Sequence, residues 1–141
     1  RTSKGATSLH IAASEDNAEG ARILIEFGAQ INARGHFGYT ALNTAARNKA
    51  INTAKLLIDH GADLSIGSQS NNTPLHLAVS NGAIQIVNLL IDNGAEINVV
   101  NKFGISPLSM ALSGNALQIA RLLIDRGADT DGLDLRGMDL Y

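Results

Sequence analysis

The sequence predicts an all-α solenoid of stacked helix-turn-helix pairs joined by short β-hairpin fingers. Two markers recurring on one period predict it. Thr73-Pro74-Leu75-His76 recurs as Thr7-Ser8-Leu9-His10, Thr40-Ala41-Leu42-Asn43 and Ser106-Pro107-Leu108-Ser109, each 33 residues from the next. Gly28-Ala29, Gly61-Ala62, Gly94-Ala95 and Gly127-Ala128 keep the same step. Four copies of one unit account for nearly all of the 141 residues, so each copy packs on its neighbours and no single central core is expected.

Each element follows from local chemistry, most clearly in the third copy. Thr73 sits where a helix N-cap belongs, its hydroxyl able to accept from an orphan amide. Pro74 occupies the first helical position, where a missing N–H costs nothing. Leu75, Leu77, Ala78 and Val79 supply the apolar surface of a short helix that ends near Asn81-Gly82. A second helix is predicted from Ile84 to Asn93, apolar over most of its circumference through Ile86, Val87, Leu89, Leu90 and Ile91. Gly94 stops it by taking the left-handed conformation. Residues 96–104 then combine strand propensity with a turn glycine, Gly104, and read as a projecting hairpin.

The finger glycine recurs as Gly5, Gly38 and Gly137 but is Asn71 in the third copy. Asparagine is the next most tolerant residue at positive φ, so the position is predicted to require it. Ser8 and Ala41 replace the helix-start proline in the first two copies. Gly20, inside the second helix of the first copy, costs about 1 kcal/mol relative to alanine and predicts the softest of the second helices. On this plan one domain spans 1–141, with repeats at 2–34, 35–67, 68–100 and 101–133 and the opening of a fifth copy at 134–141. The chain begins inside a finger, and the fourth copy shows no polar redesign for a terminal face. A segment of a longer array is therefore expected.

A 33-residue unit carrying Thr-Pro-Leu-His resembles the ankyrin repeat over almost the whole chain. The resemblance implies that the fingers and first-helix edges line one concave surface. It also implies a non-enzymatic protein–protein interaction module, with a structural spacer or in-cis regulatory segment of a larger protein as the alternative. Within the repeat it implies that His10 and His76 bond to neighbouring backbone and threonine, with Asn43 and Ser109 doing the same framework duty. In similar proteins the asparagine after Gly-Ala-x-Ile can be hydroxylated by an asparaginyl hydroxylase, given an acidic residue two before it and an upstream leucine. Leu90, Glu96, Ile97 and Asn98 match that pattern, whereas Asn32 has Gln30 in the acidic place.

Composition bears on several function classes. A net charge of −2 gives no global attraction to nucleic acid or to an anionic membrane. No apolar run approaches the roughly 18 residues of a transmembrane helix, so no membrane insertion is expected. Cysteine is absent, which excludes disulfides and thiolate metal sites and fits a reducing, intracellular, cytoplasmic setting. The histidines form no cluster with metal spacing. Asp129-Thr130-Asp131-Gly132 looks like the opening of a calcium loop, but its glycine comes two places too early. Asn71-Asn72-Thr73 matches a glycosylation sequon, yet Thr73 already has a capping duty. With no phosphate cradle or nucleophile elbow, we expect no catalytic residue, cofactor or small-molecule substrate.

Positions that vary between copies while the framework stays fixed are free of packing duty. On the fingers these are His36, Phe37, Tyr39, Gln69, Asn72, Lys102, Phe103 and Ile105; on the first helices they include Arg47, Asn48 and Asn81. Phe37, Tyr39 and Phe103 concentrate aromatic surface there, and rings on an exposed edge act as interface anchors. Lys4, Arg34, Arg47, Lys102 and Arg136 add positive charge to the same side. Glu26, Asp59, Asp92 and Asp125 instead recur at the ends of the second helices, where they oppose the helix dipole for no reason the sequence supplies. The expected partner is another protein, through an apolar segment with some acidic residues.

Overall fold

The computed structural model describes residues 7–131. The first finger, with Lys4 and Gly5, and the fifth-copy opening, with Arg136 and Gly137, lie outside the described residues. Four helix pairs follow in order: α1 (Ser8–Ser14) with α2 (Ala18–Glu26), α3 (Ala41–Arg47) with α4 (Ile51–Asp59), α5 (Pro74–Ser80) with α6 (Ile84–Asp92), and α7 (Pro107–Ser113) with α8 (Leu117–Asp125). Each first helix packs on its own partner and on the first helix of the next repeat, so α1, α3, α5 and α7 form an inner layer. The second helices form the outer layer.

The repeated tetrapeptide sets both the start of each inner helix and its core contact. Thr7, Thr40, Thr73 and Ser106 cap α1, α3, α5 and α7 by accepting the amide three residues on. Leu9, Leu42, Leu75 and Leu108, two residues after each cap, are all buried. Leu57, Leu90 and Leu123 do the same for the outer layer. Replacing any of them by alanine removes its transfer energy and leaves a cavity, a cost of about 2–5 kcal/mol. α6 is less uniformly buried than its sequence predicts: Ile86, Val87 and Leu90 are buried, while Leu89 and Ile91 are half-covered because no third layer stacks outside it.

Turn chemistry is as regular as the helices. Asp16, Lys49, Gly82 and Asn115, one per repeat, hold positive φ between inner and outer helix. Asn71 also has positive φ, 58°, matching Gly38 and Gly104 at the finger tip. Gly20 adopts helical geometry, and its amide is the one capped by Asn17. A Cβ there would meet the Asn17 side chain at 2.6 Å.

The fingers differ in one respect from the expected β-hairpins: among the described residues no segment pairs as a strand. Each finger closes instead on a tight turn, with Gly35 N–H to Tyr39 and Gly38 N–H to Gly35, Ser68 N–H to Asn72 and Asn71 N–H to Ser68, and Asn101 N–H to Ile105 and Gly104 N–H to Asn101. Successive fingers are then tied by Gln69 N–H to the Phe37 carbonyl (2.9 Å) and Lys102 N–H to the Ser70 carbonyl (2.9 Å). Single ties of this kind are too sparse to make a ladder.

Candidate functional site

The second finger places its aromatic residues by an unusual backbone. Phe37 has φ 54° and ψ 23° within a short 3-10 turn, His36–Gly38, followed by Gly38 at φ 74°. A bulky residue in the left-handed region is strained by about 1–2 kcal/mol. The equivalent Ser70 and Phe103 are not held this way. The Phe37 ring stands 68% exposed. Its edge meets Tyr39, with ring centroids 6.4 Å apart and planes at 62°. Tyr39 is half-buried against the core, and the Arg47 guanidinium of α3 lies 5.6 Å from its ring centroid. Tyr39 is thus partly a packing residue, whereas Phe37 presents its surface to solvent.

These groups line a groove of about 520 Å³ that spans the inner helices and fingers of the first three repeats. His36, Phe37, Tyr39, Thr44, Arg47 and Asn48 come from the second repeat, His10, Ile11 and Ser14 from the first, and Asn81 from the third. Arg47 forms no salt bridge among the described residues. Asn48 and Asn81 each donate an amide N–H to their own helix, to Thr44 and Leu77, leaving the amide oxygens to accept. The groove therefore combines an exposed ring, an unpaired cation and amide acceptors. No helix among the described residues is long and apolar enough to cross a membrane, and no group of three or more His, Asp or Glu among them could hold a metal.

Other predicted site residues fall elsewhere. Gln69, Asn72, Lys102, Phe103 and Ile105 lie on the third and fourth fingers and do not line this groove. Phe103 is 69% exposed, on a finger organised by the buried Asn101, whose Oδ1 accepts from Phe103 N–H (2.9 Å) and Ile105 N–H (3.0 Å). Asn72 is committed to framework, accepting from the Asn101 side-chain amide at 2.9 Å. Asn98 is exposed, and its Oδ1 accepts from Asp129 N–H of the next repeat at 2.7 Å, as Asn32 does from Asp63 N–H at 3.0 Å. In the sequon, the Thr73 hydroxyl is buried in its cap.

Sequence reasoning missed two apolar residues. Ile11, 45% exposed, was legible as the inner-helix position shared with Thr44, Leu77 and Met110. Phe27, 86% exposed, follows α2 and lines a separate groove beside Leu24 and Ala29. Its equivalents are His60, Asn93 and Arg126, so alignment offers no hint of a ring there.

The polar residue at the end of the tetrapeptide proves less interchangeable than expected. A carbonyl can only accept, so His76 carries its proton on Nε2, donating to Ile105 at 2.8 Å. Its Nδ1 then accepts from the Thr73 amide and hydroxyl, at 3.2 and 2.9 Å. His10 makes the same bridge to the Tyr39 carbonyl at 2.9 Å. Among the described residues Ser109 bonds Ser106. Asn43 is fully buried, and neither its Oδ1 nor its Nδ2 has a partner. The amide side chain is shorter than an imidazole and does not span the seam.

The acids ending the outer helices gain a partial account. Asp92 pairs with Arg126 of the next repeat at 2.6 Å, and Arg22 pairs with Glu26 and Glu19. Hydrogen bonding to Arg22, reinforced by its charge, holds the Glu19 carboxyl below the usual range. Fully exposed pairs of this kind contribute little to stability.

Compared with protein-family models, residues 1–68 match ankyrin repeats in three copies, 57–111 match ankyrin repeats in many copies, and 103–135 match the single ankyrin repeat. A search of curated proteins found no match.

Proposed function

Since the chain belongs to the ankyrin-repeat family, in which repeats are generally protein–protein interaction modules and not enzymes, we propose that it binds a protein segment in the groove centred on its first two repeats and reaching Asn81 of the third. The observation that carries this reading is Phe37, an exposed ring held in strained left-handed backbone beside an arginine-backed tyrosine. Strain of this kind persists only where the surrounding structure over-determines it, and it clusters at binding sites. The ligand chemistry follows from the lining. Ile11 and Phe37 take apolar side chains, Arg47 takes a carboxylate, and the Asn48 and Asn81 amide oxygens take backbone N–H groups. An extended apolar segment bearing acidic residues fits.

Selection of a random peptide library on the immobilised protein tests this. Enriched peptides should combine aromatic or aliphatic residues with Asp or Glu, and binding should fall at least about tenfold in both Phe37→Ala and Arg47→Ala. Peptides insensitive to both substitutions would place recognition elsewhere. Failure to enrich any peptide would favour the spacer reading.

A further inference from the structure

We infer that the array is built as two doublets, repeats one–two and three–four, joined by a seam that opens before the other two. Polar ties between repeats fall unevenly along the array. At the first seam His10 bonds the Tyr39 carbonyl, and Asp16 accepts from Thr53 N–H, the Thr53 hydroxyl and the Asn52 amide. At the third seam His76 bonds the Ile105 carbonyl, Asn101 bonds Asn72, and Lys102 N–H bonds Ser70. At the middle seam, among the described residues, a single hydrogen bond crosses, from Gln69 N–H to the Phe37 carbonyl.

Apolar packing does not set the middle seam apart. Leu42, Ala46, Leu75 and Ala78 are buried in the inner helices on its two sides, so the closed state is intact. What differs is the consequence of parting. Opening either outer seam strips partners from buried groups, Thr53 and His10 at one, His76 and Asn101 at the other. Opening the middle seam breaks one finger bond and brings water to the Asn43 amide, which has no partner when closed. A buried polar group without a partner gains on hydration, so Asn43 favours the open form. In a solenoid each interface contributes nearly independently, and local opening begins at the least-tied one.

Native-state amide exchange on the unmodified chain, read by NMR, tests this at two equivalent amides, Gln69 at the middle seam and Lys102 at the third. Gln69 should exchange at least about tenfold faster after correction for intrinsic rates, a difference of about 1.4 kcal/mol in opening free energy. A second arm uses native-state thiol labelling, since the chain has no cysteine. A46C is expected to label at least about tenfold faster than A13C, and Asn43→His, which restores the histidine bridge, should slow A46C while leaving A13C unchanged. Equal exchange at Gln69 and Lys102, or equal labelling at both thiols, would overturn the inference. So would a slowing by Asn43→His that is the same at both thiols.

Discussion

One residue type at one position separates a bridge from a hole. His10 and His76 each satisfy both ring nitrogens and reach the next repeat, whereas Asn43 at the same position satisfies neither side-chain atom. Replacing Asn43 by His should let Nε2–H donate to the Asn72 carbonyl, which among the described residues accepts from Ser68 N–H. Making a buried hydrogen bond and removing an orphaned amide should stabilise by about 1–2 kcal/mol, read as a higher urea midpoint with an unchanged slope. His76 supplies the converse test. Burial lowers its pKa from the ordinary 6.5, partly offset by the Ile105 carbonyl, and a proton on Nδ1 would face the Thr73 N–H. The folded state therefore refuses a proton that the unfolded chain accepts. The stability is present above the unfolded value of 6.5 and is lost as pH falls through it towards the depressed folded value. The urea midpoint should drop on acidification below that point, and less steeply in His76→Asn.

At the level of elements, the inner helices were legible because their signals are local. Cap, proline and leucine fall within three residues, and the structure places all of them as the spacing predicts. The finger tip was legible through Asn71 standing in for glycine. Two features were not. The turn between inner and outer helices takes positive φ at Asp16 and Lys49 as readily as at Gly82, and a lysine there carries no sequence signal. The start of α4 has no side-chain cap of its own, and Asp16 caps it from the preceding repeat across 37 residues. No window of sequence contains that pair. Asp16→Ala should leave the Thr53 amide and buried hydroxyl unpartnered, lowering stability by about 2–3 kcal/mol in thermal or urea unfolding. Asp59→Ala, at an exposed position, should stay within about 0.5 kcal/mol.

For the whole molecule, the period told where variable positions lie but not which of them meet. Phe37 and Phe103 look equivalent in sequence, yet only Phe37 lines the groove with Arg47, because in the fourth repeat the place of Arg47 is taken by Ser113. The exposed basic groups Arg34, Arg47 and Lys102 belong to the finger side, while Glu26, Asp59 and Asp92 end the outer helices. One arginine among them has a kinetic meaning. A chain of net charge −2 repels an acidic segment weakly at long range, but Arg47, which forms no salt bridge among the described residues, attracts one close to the groove. Attraction of that kind acts during encounter and is screened within roughly 10 Å at 0.1 M salt. Stopped-flow measurements with an acidic peptide selected on the groove should show an association rate that falls steeply as salt rises. The dissociation rate, set by the ring contacts of Phe37, should hardly change. The cation beside the groove would then govern how quickly a partner is caught, and the strained ring how long it stays.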